Sequence, residues 1–199
     1  MGASERDEFL RAAWQVLVAG RVESRRFVFV DECSTNTSLT PLYAWSRRGE
    51  RARCRIPRNW GANVTLLSCM TYEGMGPSLA VEGATTREVF ETYIEKVLAP
   101  TLREGQVVVM DNLSSHKGSR IKDLVEGRGC DLIYLPPYSP DFNPIEEAFS
   151  KIKALLRKAE ARSRDALVEA MGRAISAVTP RDAQGFFEHR GYSLSVQQL

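Results

Sequence analysis

Asp31 follows the apolar run Phe27–Val30, and Asp111 follows Val107–Met110. Each carboxylate therefore stands at the carboxyl end of a segment that reads as a buried strand, the edge at which open sheets place their sites. If the two strands are parallel neighbours, both acids meet there. Two unpaired carboxylates would repel each other and resist burial. A divalent cation removes both penalties, and oxygen donors without supporting His or Cys favour Mg²⁺ or Mn²⁺. Glu146, on the helix after the next strand, completes a set of three acids, with 34 residues between it and Asp111. Either aspartate alone has a plainer alternative: an acid at a strand end often opens a turn, as Asp111–Asn112 can.

The stretch around Glu146, "LPPYSPDFNPIEEAFSKIK" (135–153), is a well-formed helix start. Pro136 and Pro137 end a strand, Asn143 is the expected cap, and Pro144 takes the first helical position, where a missing N–H costs nothing. Glu146 falls where a capping-box carboxylate belongs. Ile145, Phe149, Ile152 and Leu156 form an apolar stripe that leaves Glu146 beside it on a partly exposed face. The cap thus aims the acid at the strand ends.

The elements that position these residues follow from the pattern of apolar residues. A helix is expected over residues 5–19, with Phe9, Ala12, Ala13 and Leu17 on one side. Strands are expected at 26–32, at "LYAWS" (42–46), at 63–72 and at "PSLAVEG" (77–83). Thr85 and Glu88 make a Thr-x-x-Glu capping box, opening a helix marked by Val89, Phe90, Tyr93, Ile94 and Val97. A strand at 106–112, a helix at 117–126, a strand at 131–135 and the helix from Pro144 come next. Two further helices are capped by Ser163 and by Thr179 with Pro180 behind it. Early strands without intervening helices imply an antiparallel meander, and the later alternation implies parallel crossovers. The expected class is α/β, a mixed sheet flanked by helices with the succession of a ribonuclease H-like fold. Residues 1–25 form a helical lead-in, 26–160 the core, and 161–199 a pair of C-terminal helices packing on it.

Composition narrows the rest. A chain of 199 residues with 43% hydrophobic residues can bury a real core. No signal-peptide pattern and no membrane-length apolar run is present, so a cytoplasmic protein without a membrane partner is expected. Cys33, Cys54, Cys69 and Cys130 lack metal-ligand spacing and read as reduced thiols. Two histidines, His116 and His189, argue against a zinc enzyme. Ser114, Ser115 and His116 could suggest a serine hydrolase, but no GxSxG elbow accompanies them.

The net charge of +2 says little, but its distribution says more. Arg47, Arg48, Arg51, Arg53, Arg55 and Arg58 face a single acid, Glu50, and a second basic set runs through Lys151, Lys153, Arg157, Lys158, Arg162 and Arg164. Either run alone is most simply a solvated surface. Arginine clusters beside grouped acids also suit phosphate contacts.

"VDE" (30–32), "VVMDNLSSHK" (108–117) and the 135–153 stretch together resemble the catalytic domain of DDE transposases, in the mariner-like insertion-sequence branch, over residues 26–192. The resemblance implies a ribonuclease H-like fold whose two aspartates and one glutamate hold two metal ions. By position these are Asp31, Asp111 and Glu146, with Glu32 and Glu147 as non-ligand neighbours. It implies Mg²⁺, with Mn²⁺ as substitute, in cleavage and strand transfer of DNA at the ends of an insertion sequence. No side-chain nucleophile is needed, since metal-activated water or a DNA 3′-hydroxyl attacks the phosphodiester. The DNA contacts expected are Arg47, Arg48, Arg51, Arg53, Arg55, Lys117, Lys151 and Lys153; His116 contacts DNA, supports Asp111 or packs. Family members usually carry an N-terminal helix-turn-helix region, for which residues 1–25 are too few. Self-association, or a partner chain carrying that region, is expected, with work at the nucleoid of a prokaryote. The "ECS" after Asp31 departs from the small turn usual in the family. A non-catalytic, DNA-binding remnant is the alternative, and retention of all three acids speaks against it. Ribonuclease or exonuclease activity on the same fold is a third reading that the 135–153 motif disfavours.

Overall fold

The computed structural model describes residues 7–41, 43–53, 63–113 and 117–192. Among them lies a six-stranded mixed sheet. Its long central strand β1 (Phe27–Thr35) pairs antiparallel with β2 (Val64–Thr71), and β2 pairs antiparallel with both β3 (Gly74–Met75) and β4 (Leu79–Glu82). On its other side β1 runs parallel to β5 (Val107–Met110), which runs parallel to β6 (Asp131–Tyr134). Meander first and parallel crossovers second is the succession expected from the sequence.

Side chains alternate across a strand, so β1 serves two cores. Phe27 and Phe29 pack with Val107, Val109 and the helices α4 (Ile145–Ala159), α5 (Arg164–Ser176) and α6 (Pro180–His189). Val28 and Val30 pack with Val108, Met110 and the helices α2 (Arg87–Tyr93, carried on by a wide turn to Leu98) and α3 (Ser119–Glu126). Phe29 meets Phe187 and Tyr192 edge to face at 5.4 and 5.0 Å. Each such buried ring contributes roughly 1.5–3 kcal/mol, and the contact ties α6 and Tyr192 into the same core as β1. The caps at Ser163 and Thr179 are as expected, the latter a full capping box with Asp182. Cys33, Cys69 and Cys130 are free and buried, while Cys54 lies outside the described residues. Among the described residues no helix is long and apolar enough to cross a membrane.

Four expectations fail locally. Residues 43–46 of "LYAWS" are not a strand, and Tyr43 and Trp45 are exposed. Strand propensity needs a sheet neighbour, and both sides of β1 are taken by β2 and β5. The first helix, α1 (Glu8–Trp14), capped by Asp7, buries Arg11 and Trp14, whereas Phe9 and Leu17 are exposed. A wide turn over Gln15–Ala19 breaks the 3.6-residue period that had placed Leu17 with Phe9. Thr86, not Thr85, caps α2 by accepting from the Val89 N–H. Finally, α4 starts at Ile145 after Pro144 with no side-chain cap. Asn143 closes a short 3₁₀ turn, Pro140–Phe142, and its side chain is engaged elsewhere.

Candidate active site

Asp31 is not past the end of its strand. It lies inside β1, opposite Ser68 of β2. What ends there is the parallel pairing with β5, whose last register partners are Val30 and Met110. Asp31 and Asp111 therefore follow adjacent paired residues on neighbouring parallel strands, as the sequence implied. Odd-numbered positions of β1 and β5 face the layer of α4, and α4 begins with Glu146 in its first turn. Asp31, Asp111 and Glu146 line one cleft of about 390 Å³, walled by the loop Leu135–Asn143.

Asp31 is only 7% exposed. Burial pushes its carboxyl up to about 8; the Glu32 backbone N–H, donating to Oδ1 at 2.7 Å, partly offsets this, and the negative charges of Glu146 and Asp111 add to the rise. That both other acids bear on Asp31 shows that the three share one electrostatic site. The remaining oxygen, Oδ2, accepts from the Asn143 side-chain amide at 2.9 Å. Asp111 accepts from the Leu113 N–H at 3.3 Å, so it also opens the turn that its position suggested. As oriented, no three His, Cys, Asp or Glu side chains among the described residues converge closely enough to grip a metal ion. The donor set nonetheless suits a hard cation: carboxylate oxygens from three elements, and an amide oxygen, Asn143 Oδ1, buried with no hydrogen-bond partner. Those residues would hold Mg²⁺ or Mn²⁺.

The neighbouring acids play other parts. Glu147 accepts from Arg190 Nε at 2.5 Å and pairs with His189 Nδ1 at 2.8 Å, so it fastens α4 to the end of α6. Of the basic residues, Lys151 pairs with Asp182 in the first turn of α6. Lys153 follows Glu146 by seven residues, two helical turns, and so shares its face; it stands beside Cys33 and moderates the rise that burial imposes on that thiol. Arg47, Arg48, Arg51, Arg53 and Lys117 are exposed, while Arg55, Arg58, Ser114, Ser115 and His116 lie outside the described residues. Arg162 donates to the carbonyls of Thr37 and Leu39, and Arg164 pairs with Glu82.

Sequence reasoning missed two residues of the cleft. Asn143 has the local signature of a helix cap, an Asn before Pro, whether or not its side chain is used. Tyr138 lines the cleft with its backbone at φ +52° and its ring 57% exposed. A left-handed tyrosine is uncommon, and four prolines in nine residues were the available signal that this wall is tightly constrained.

Sheet and helices together have the ribonuclease H-like arrangement, with the cleft at the ends of its parallel strands. The family described as DDE superfamily endonuclease matches residues 26–168, and the chain belongs to it. Among curated relatives, the Tc1 transposase of Caenorhabditis elegans is 25% identical, the match covering 96% of this chain and 78% of that protein. The Tcb2 transposase of Caenorhabditis briggsae is 28% identical over 77% of this chain and 61% of that protein. Among solved structures, the Mos1 transposase paired-end complex with left transposon end superposes with a TM-score of 0.70 at 16% identity, covering 92% of this chain and 56% of that one. The Mos1 transposase catalytic domain, solved with Raltegravir and Mg, gives a TM-score of 0.65 at 15% identity, covering 94% of this chain and 89% of that one. At such identities the likeness is one of fold. The chain spans a little over half the length of the Mos1 chains in their DNA complexes.

Proposed function

We propose that the chain is the catalytic part of a transposase, cutting and joining DNA with the aid of divalent metal at Asp31, Asp111 and Glu146. The observation that carries this reading is the meeting of those three acids, from β1, the end of β5 and the start of α4, in one cleft. A bound pair of Mg²⁺ or Mn²⁺ ions would supply activation of the attacking oxygen and charge relief at the transferring phosphoryl group. The protein's part is to fix the carboxylates on rigid elements and to hold the cleft wall with prolines, while exposed arginines on the β1–β2 connection suit phosphates. In the cleavage step the water oxygen bonds to phosphorus as the bond to the 3′-oxygen breaks; the water gives up a proton to solvent, and the leaving 3′-oxygen takes one up to become a hydroxyl. In joining, a 3′-hydroxyl takes the place of water. Mos1 complexes containing transposon-end DNA, and others with Mg or Mn, support the substrate and metal classes. Work on DNA would place the protein with the chromosome, in a prokaryote at the nucleoid. Self-association, or a partner chain bearing the end-recognition region, completes the proposal.

The test is Mg²⁺- or Mn²⁺-dependent nicking of DNA carrying the element's own ends, with Asp111→Asn as control. Cleavage that survives this substitution at the wild-type rate would remove the site from the reaction.

DNA binding gives a second measurement. Arg51 and Arg53 lie exposed on the long connection from β1 to β2, in the basic run that suits phosphates rather than base edges. Replacing both with Ala should weaken binding to terminal-repeat and scrambled DNA alike. The slope of log K against log salt should flatten by about 2, close to one per lost phosphate contact. Competition binding at two salt concentrations reads this. A clear preference of the chain for terminal-repeat DNA would show that its catalytic core reads sequence, against expectation.

A further inference from the structure

We propose that Asn143 belongs to the cation site, its amide N–H fixing Asp31 and its carbonyl oxygen serving as a neutral donor to the same cation. The inference rests on reading the cleft as a divalent-cation site. Asn143 is 3% exposed, lines the cleft, and donates from Nδ2 to Asp31 Oδ2 at 2.9 Å. Its Oδ1 is buried without a hydrogen-bond partner. Buried polar atoms are normally satisfied by a donor, a water or an ion, and beside a buried carboxylate a cation would satisfy the orphaned acceptor and the acid together. A flipped amide would turn its oxygen to Asp31 and suit only the protonated acid, whereas the orientation seen serves the ionised carboxylate that a cation requires. The side chain is not spent on the helix either, since no side chain caps α4. Amide oxygens are ordinary ligands of hard cations and add a donor without adding charge to an already repulsive cluster.

The fold fixes the backbone on both sides of this residue. Arg11 of α1, only 6% exposed, donates to Ser139 Oγ at 2.7 Å and to both carboxylate oxygens of Asp141, and its guanidinium lies 4.1 Å over the Phe142 ring. The Tyr192 hydroxyl donates to the Phe142 carbonyl at 2.7 Å and accepts from Trp14 Nε1 at 3.1 Å. Residues 11–14 and 192 therefore clamp the loop that carries Asn143. That clamp gives Arg11, a buried cation on the helical lead-in, a purpose: it positions the amide through the loop.

Calorimetric titration with Mn²⁺ tests the proposal, with metal-free melting as a check on folding. Asn143→Ala should weaken Mn²⁺ binding by about tenfold or more, the usual effect of losing a residue that orients a metal ligand. Asn143→Asp has the same shape, keeps an oxygen in place and adds a negative charge to the cation that outweighs the lost N–H bond, so it should bind Mn²⁺ at least as tightly as the wild type. Wild-type affinity in Asn143→Ala, or a loss in Asn143→Asp, overturns the proposal; should the alanine variant not fold, the aspartate variant decides alone. Asp111→Asn separates the two levels. Binding lost in Asp111→Asn but unchanged in Asn143→Ala refutes this inference only, whereas binding unchanged in Asp111→Asn refutes the cation site and this inference with it.

Discussion

Glu146→Gln should reduce Mn²⁺-dependent nicking by on the order of a hundredfold or more, since an amide is a poorer ligand than a carboxylate and leaves the cation's charge less neutralised, while the melting temperature stays close to that of the wild type. The second half of this expectation comes from the structure. Glu146 is exposed in the first turn of α4, and that helix start is held by Ile145, Ala148 and Phe149 packing on the sheet, without a side-chain cap. Glu147→Gln should do the reverse. It weakens the bonds to Arg190 and His189 that fasten α4 to α6, at a cost of about 1–2 kcal/mol in stability, with cleavage little changed. Melting curves and nicking rates on the two variants separate the roles. Equal cleavage by both, or greater sensitivity at Glu147, would mean that the wrong glutamate has been assigned.

Asp31→Asn should abolish the Mn²⁺-induced rise in melting temperature and also change how the metal-free protein responds to pH. Burial, the largest cause, raises the folded carboxyl to about 8, whereas in the unfolded chain it titrates near about 3.9. Between those values the folded state keeps a proton that the unfolded state releases. The stability this provides is fully present below about pH 4 and is lost as pH rises through about 8. Asn does not titrate, so Asp31→Asn should gain relative to the wild type as pH rises from 5 to 9. With metal the sign reverses. The cation must displace the proton, so apparent Mn²⁺ affinity of the wild type should climb with pH up to about 8. Thermal melts at pH 5, 7 and 9, with and without Mn²⁺, read both effects. A variant that keeps the wild-type metal shift would place the cation elsewhere.

The alternative of a non-catalytic remnant makes a contrasting prediction at both sites. Without a cation to bind, a buried Asp31 is a liability, and any neutral residue of its size would serve the fold better. The structure instead surrounds it with a backbone donor and a dedicated amide.

Much of this protein was legible in the order of its residues. Continuous apolar runs at Phe27–Val30 and Val107–Met110 marked buried central strands, because only strands covered on both faces can do without alternation. Period-2 geometry then carried Asp31 and Asp111 to the same layer, and the stripe Ile145–Leu156 set the face of α4 that leaves Glu146 beside the sheet edge. These are local rules of period and parity, and they survive folding. The tertiary structure decided what local rules cannot. Tyr43 and Trp45 have strand propensity but no strand to pair with. Phe9 and Leu17 look like a core face, yet Arg11 and Trp14 are the buried residues, because their partners Asp141, Ser139 and Tyr192 lie more than a hundred positions away. Lys151 and Lys153 look alike in a basic run, and only their neighbours, Asp182 and Cys33, tell them apart. Asn143 carries every local sign of a helix cap and spends its amide on Asp31 instead, since a hydrogen bond to a buried carboxylate is worth more than one to a half-solvated helix end.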